Sequence, residues 1–270
     1  MQTSDDNLFH VAAACLAECD PGRKAALTAH AARRFRAGEL SRLPAGTPEP
    51  IGEPGRPARP VLVAPRDLPQ RGLGTPEGRV ALLHAVAHIE FNAINLAWDA
   101  VYRFRDMPER YYADWVGVAD DEARHYGMLA ARLAGFGHAY GDFAAHDGLW
   151  EMARKTAGSC LERMALVPRV LEARGLDVTP GMVARLESVG DRESADILKV
   201  ILAEEVAHVA AGSRWFAWCC ERDGVEPSAT FDALLRRHCR GALKGPFNRP
   251  ARLAAGFSDD ELARLDAMVA

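Results

Sequence analysis

Glu90, then Glu122-Ala-Arg-His125; Glu172, then Glu205-Val-Ala-His208: these two runs decide the fold. In each, a lone Glu is followed 32 or 33 residues later by a Glu-x-x-His. On a helix, residues three apart lie on one face, so each Glu-x-x-His presents a carboxylate and an imidazole to one point. Four inward carboxylates and two imidazoles in a four-helix bundle form the ligand set of a carboxylate-bridged metal pair. The expected fold is therefore all-α, a ferritin-like four-helix bundle with added N- and C-terminal segments. Its expected metal ligands are Glu90, Glu122, His125, Glu172, Glu205 and His208.

The surrounding residues decide whether these carboxylates point inward. Val86, Glu90, Ala93, Ile94, Ala97 and Val101 follow the 3/4 spacing of one buried stripe. Trp115, Val118, Glu122, His125 and Leu129 form a second. Leu198, Ile201, Leu202, Glu205, His208 and Val209 form a third. A buried carboxylate costs several kcal/mol unless a cation or hydrogen-bond donors meet it. The ordinary alternative is a chance Glu-x-x-His on a solvated face. Two such pairs, each with an upstream Glu and each inside an apolar stripe, argue against chance. Glu204 and Asp121 neighbour the expected ligands but project about 100° away. Glu162, ten residues before Glu172, competes with it as the ligand of the third helix. His84 and His88 stand four apart, but His88 is about 200° around the helix from Glu90. A packed, hydrogen-bonded pair or a role behind the ligands is expected for both. Arg169, three residues before Glu172, is expected to pair with a ligand carboxylate or line an entrance. Trp98, Tyr102, Trp115 and Tyr126 read as core aromatics.

Around this core, residues 7–37 read as two short helices broken at Asp20-Pro21-Gly22. Residues 41–76 are rich in proline and cannot be regular helix. They read as a strap on the bundle, with Val61-Leu62-Val63 as apolar anchors. Thr75-Pro76 starts the first long helix, with a capping hydroxyl and then proline at the first helical position. That helix runs to about Phe104, and the second follows Pro108 and ends near Gly135. The third is expected from Leu149 to Ala173, kinked at Pro168 and ended by Gly175. A short helix starts at Thr179-Pro180 and stops at Gly190. The fourth runs from about Arg192 to Glu221. Two further helical stretches fill 225–270. The division is then 1–74 for N-terminal helices and strap, 75–224 for the bundle, and 225–270 for a C-terminal extension packing on it. The linker at 136–147 spans about 40 Å when extended, enough for a lengthwise crossover.

The 270 residues are 49% hydrophobic and 26% charged, with a net charge of −4, which fits a globular chain and gives no nucleic-acid signal. Of 33 basic residues only Lys24, Lys155, Lys199 and Lys244 are lysine. No apolar run reads as a membrane span. Met1 to Asp6 lacks the basic start and apolar core of a signal peptide. Cys15, Cys19, Cys160, Cys219, Cys220 and Cys239 contain no Cys-x-x-Cys and read as buried free thiols in the cytoplasm.

The runs His84-Ala-Val-Ala-His88-Ile-Glu90, Asp114 to Glu122, Pro168 to Gly175 and Glu204-Glu-Val-Ala-His208 resemble those of a ferritin-like bacterial family known as a domain of unknown function. The resemblance extends over most of the chain and includes Ala255-Gly-Phe-Ser258. It implies a four-helix ferritin-like core with a dimetal site, and no established substrate. Glu172-Ala-Arg174 is similar, locally, to a di-iron hydroxylase acting on a modified tRNA adenosine.

Three functions compete. The first is a di-iron oxidoreductase or hydroxylase using O2 or peroxide on a small-molecule substrate, with an electron donor and two Fe ions, Mn or mixed Fe/Mn also suiting the ligands. The second is an iron-handling or peroxide-scavenging protein of the ferritin and rubrerythrin kind, without the four-cysteine rubredoxin site. The third is a bundle whose polar core only fixes register. A homodimer is compatible with each. The enzyme reading expects an enclosed apolar cavity at the metals, walled by the strap and the linker and lined by Arg169.

Overall fold

Thr75 accepts the Gly78 amide at 3.1 Å, Pro76 takes the first helical position, and the helix α3 runs from Pro76 to Arg103. Its ends lie where the cap and the Asp106-Met107-Pro108 break predict. The computed structural model describes residues 6–44, 46–69, 71–239, 241 and 243–269. Residues 1–5 of the N-terminal stretch, Ala45 and Gln70 of the strap, and Arg240, Ala242 and Ala270 of the tail lie outside the described residues. The described residues are all-helical, with two isolated bridges, Asn7–Ser41 and Leu62–Ala145, and no strand. They divide into two compact units, Met1–Arg154 and Lys155–Ala270.

In the first unit, α3 packs along α4 (Glu109–Gly135), while α1 (Leu8–Ala17) lies on α3 and α2 (Pro21–Arg36) on α4. Two tyrosines pin the turn between α3 and α4. Tyr112 Oη donates to Phe104 O at 3.0 Å and accepts from Met107 N at 3.2 Å, and Tyr111 Oη donates to Ala100 O at 3.3 Å. Lys24 is fully buried and caps α1. Its Nζ donates to Cys15 O, Leu16 O and Asn95 Oδ1 at 2.8, 3.0 and 2.6 Å, which ties the α1–α2 hairpin to α3. Three acceptors satisfy three N–H donors, so burial is tolerated, although it pulls the amine down to about 8.

The strap does lie on this unit, but not through Val61, which is 61% exposed. Backbone pairing holds it instead: Val63 N donates to Ala145 O at 2.9 Å and Ala145 N to Val61 O at 3.0 Å. Pro54 and Pro60 are its buried points, and Trp150 Nε1 donates to Gly52 O at 2.8 Å. Gly55 is required there, since a Cβ would lie 2.2 Å from Ala17 O. Trp150 belongs to a short helix, α5 (Gly148–Lys155).

The expected third helix is not continuous. It breaks after α5, and α6 (Cys160–Leu166) restarts on Ser159, whose Oγ accepts the Glu162 amide at 3.2 Å. Ser159-Cys-Leu-Glu162 has the sequence of a capping box, a helix start that outweighs helical periodicity across 156–159. A π-helical segment, Val167–Glu172, follows and contains Pro168, where a kink was expected. Then α7 runs from Ala173 to Ser188, straight through Gly175 and Pro180. Neither residue ends it. The carbonyl that Pro180 leaves without its N–H partner, Leu176 O, accepts Asn248 Nδ2 at 2.9 Å. The true stop is Gly190, at φ 81°.

In this second unit α7 packs along α8 (Arg192–Asp223), which closes on Gly224 at φ 65°. Among the described residues the tail forms three helices instead of two: α9 (Pro227–His238), α10 (Arg249–Ala254) and α11 (Asp259–Val269). Arg252 of α10 makes a two-pronged ion pair with Asp177 of α7 at 2.8 and 2.9 Å.

Two expectations on composition need amending. By length and composition α3 could cross a membrane, but 78% of its apolar window is buried inside the protein. All six cysteines are free, as expected, but Cys19 is exposed.

Gly212 on α8 lies against Pro168, and a Cβ there would sit 2.3 Å from the proline ring. Gly212→Ala should therefore cost about 1–3 kcal/mol, as overpacking does. Gly127 on α4 has open space around it, and Gly127→Ala should gain roughly 0.5–1 kcal/mol. Urea unfolding of both variants checks the contrast.

Candidate metal centre

The stripe on α3 places Glu90 inward at 2% exposure, and the stripe on α4 places Glu122 and His125 inward at 0%. His125 Nδ1 lies 3.1 Å from Glu90 Oε2 and 3.5 Å from Glu122 Oε2. One ligand atom from each residue falls within 4.8 Å of the others. Burial pulls the His125 imidazole towards its neutral form, but the two carboxylates overcome this and hold it up at about 10. A group of two buried carboxylates and one imidazole thus favours positive charge at its centre. Asp121, beside it, pairs on the outside with Arg124 at 3.0 Å.

The second unit presents the matching residues. Glu205 and His208 on α8 are 9% and 2% exposed, with His208 Nδ1 3.7 Å from Glu205 Oε1. Glu204 is half-buried on a neighbouring face. Glu172 is buried at the end of the π-helical segment. Glu162, its competitor, is engaged elsewhere. It faces Arg237 at 3.4 Å and His238 at 3.7 Å, beyond the cap of α6.

Arg169 is neither on a ligand carboxylate nor at an entrance. It is buried, and its Nη2 donates to Glu261 Oε1 at 2.7 Å. Its guanidinium packs over Phe216, Phe231 and Phe257 at 4.9, 4.3 and 4.5 Å. Burial pushes that guanidinium below its usual range, opposed by Glu261. Same-face placement with Glu172 assumed an α-helix. The i→i+5 π turn rotates less per residue, so residues three apart no longer stack.

His84 and His88 are both buried and hydrogen-bonded, and what they hold is the 136–147 linker. His84 Nε2 accepts Gly141 N at 2.8 Å, and its ring stacks on Tyr140 at 5.4 Å. His88 Nδ1 accepts Tyr140 Oη at 2.9 Å while its Nε2–H donates to His146 O at 3.0 Å. Tyr140 also meets Phe91 and Tyr126, each at 5.4 Å, so one linker tyrosine closes an aromatic cluster beside α3 and α4. Sequence reading did not find Tyr140. Its signal is the aromatic-rich loop opposite a His-x-x-x-His. Trp98, Tyr102, Trp115 and Tyr126 are buried as expected.

Residues 17–263 match the family described as "Protein of unknown function (DUF455)". A relative described as an uncharacterized protein, from Haemophilus influenzae, is 45% identical over 213 residues, covering 76% of this chain and 74% of its own. No solved structure matches. The chain belongs to the DUF455 family.

Burial lowers His84 from 6.5 to about 4, with His88 nearby adding to the effect. The unfolded imidazole takes up a proton near pH 6.5 while the folded one does not, so stability falls as pH drops from about 6.5 to about 4. The slope from this residue should reach about 1.4 kcal/mol per pH unit. Urea unfolding at pH 7 and pH 5 should show that loss, and it should shrink in His84→Gln.

Proposed function

We propose that this DUF455 protein binds two metal ions, iron foremost, in a ferritin-like four-helix core, with Glu90, Glu122, His125, Glu172, Glu205 and His208 as the ligands. The observation that carries this reading is the buried group of Glu90, Glu122 and His125, whose donor chemistry suits a divalent cation. A proton on His125 balances one of its two carboxylates, and a divalent ion balances both. Glu205 is a fourth residue whose donor suits the same cation, and in this reading Glu172 and His208 are the remaining ligands. The repeat of Glu and Glu-x-x-His along the sequence supports the reading, because the two copies together have the composition of a symmetric dinuclear ligand set.

The activity proposed is that of an oxidoreductase using O2 or peroxide on a small-molecule substrate. When bound, the metal pair supplies Lewis acidity and electrons towards O2 or peroxide. The chain's own residues do the rest. Glu122 and Glu205, each one turn from its imidazole, would hold the ions together with His125 and His208, and Glu90 and Glu172 would supply the remaining carboxylates. The apolar stripes around them exclude water, which strengthens each charge interaction. The strap and the Tyr140 linker wall the substrate side, a use to which long loops in compact domains are commonly put. Such segments are superfluous in a minimal iron store, and for that reason an enzyme is ranked above iron handling.

Anaerobic Fe(II) titration should reach two ions per chain. Glu122→Ala and Glu205→Ala should each lose most of the bound iron, while Glu204→Ala should keep both ions. Wild-type protein that takes up no Fe(II) would remove the metal reading. Oxygen uptake by the reduced, iron-loaded protein should rise when a small-molecule cell extract is added, with a product gaining mass. Iron oxidation in a fixed ratio to protein, without extract-dependent turnover, would favour iron handling instead.

A further inference from the structure

Glu172 is presented by a π turn, and that turn is gripped on two sides within its own unit. On one side Gly212 lets the α8 backbone close on Pro168. On the other, Arg169 reaches the C-terminal helix. Its partner Glu261 is itself fixed at both ends. The Glu261 amide donates to Ser258 Oγ at 3.1 Å, and Glu261 Oε2 accepts the Ser258 amide at 2.9 Å, a reciprocal capping box that starts α11. Oε1 is left to take Arg169 at 2.7 Å. Three phenylalanines, one each from α8, from α9 and from the Gly256-Phe257 turn, enclose the guanidinium.

A buried ion pair is a poor source of stability, because desolvation consumes most of its attraction, and apolar replacements of equal volume often fold as well. Its physical advantage is directional. An arginine fork accepts one carboxylate in one geometry, where a leucine would tolerate several. A π turn needs such direction, since the same residues can rewind to the ordinary α register. That rewinding would swing Glu172 around the helix.

We infer that Arg169 and Glu261 form a positioning latch, by which the C-terminal helix holds the π turn and aims Glu172 at the metal centre. This deepens the dinuclear reading and rests on it for the destination of Glu172. Arg169 and Glu261 touch no metal; they act through the backbone of residues 167–172. The C-terminal segment, which the bundle alone does not require, thereby acquires a role.

The test uses the full chain and Co(II) as a probe, with four proteins: wild type, Glu261→Ala, Glu261→Gln and Leu186→Ala. Leu186 is fully buried on α7 and serves as a purely destabilising control. Wild type should bind two Co(II) per chain. Glu261→Ala should keep one tightly and bind the second at least about tenfold more weakly, as the loss of a ligand's supporting partner does, with a changed visible spectrum. Glu261→Gln keeps the shape and one acceptor oxygen for Arg169 while giving up the bond accepted from the Ser258 amide, so it should bind both with the wild-type spectrum although it melts earlier. Leu186→Ala should also melt earlier and bind both. Wild-type affinity for both ions in Glu261→Ala, or an equal loss in Leu186→Ala, would overturn the latch. A second arm needs no metal. Amide exchange at residues 167–173 should quicken at least tenfold in metal-free Glu261→Ala, and unchanged exchange would overturn the latch. A wild type that binds no cobalt or iron defeats the dinuclear reading instead, and the exchange arm still decides the latch.

Discussion

Two carboxylates and an imidazole sit inside the apolar seam between α3 and α4, and much of the first unit serves that placement. Exposing Glu90, Glu122 and His125 to water would cost the protein its best-packed seam; burying them demands positive charge. The seam is held in register by Tyr111 and Tyr112, whose hydroxyls fasten the turn from α3 to α4. A slip of one residue there would rotate Glu122 and His125 by about 100° away from Glu90. Lys24 and Trp98 fasten the α1–α2 hairpin across the same helices, with Trp98 Nε1 donating to Thr28 Oγ1 at 2.9 Å. The strap and linker, paired through Val63 and Ala145 and anchored on His84 and His88, then cover the histidine-bearing face of α3.

The second unit solves the same problem with less regular means. Its Glu205 and His208 ride on an ordinary helix, but its lone Glu lies at the end of a π turn. The close approach of Gly212 to Pro168 and the Arg169–Glu261 pair hold that turn, so a tail of three short helices contributes to the placement of one carboxylate. Asn248 and Arg252 add a second tie between the tail and α7, through Leu176 O and Asp177.

How much of this was legible in the sequence follows from how local each signal is. The ends of α3, α4 and α8 were legible because a cap, a proline or a glycine marks each within a turn. Inward placement of Glu90, Glu122, His125, Glu205 and His208 was legible because helical periodicity fixes phase over a long helix. Phase fails where the helix changes type, and this is why Arg169 was set on the face of Glu172. Pro180 was read as a helix start because its tolerance depends on Asn248, about seventy residues away. Ser159-Cys-Leu-Glu162 was legible in principle as a capping box but lay within a periodic stretch. Anchoring of the strap by backbone bonds leaves no trace in side-chain patterning at all. Membership of the DUF455 family agrees with the resemblance noted from the sequence, while the proposal of a ferritin-like core rests on the ligand pattern.

The proposed dinuclear centre is tested most directly by anomalous scattering from crystals of protein prepared without chelators, recorded at the iron and manganese edges. The dinuclear reading predicts two peaks about 3.5–4 Å apart, ringed by Glu90, Glu122, His125, Glu172, Glu205 and His208. An absence of peaks at either edge in protein soaked with Fe(II) and Mn(II), with His125 still held between Glu90 and Glu122, would contradict it.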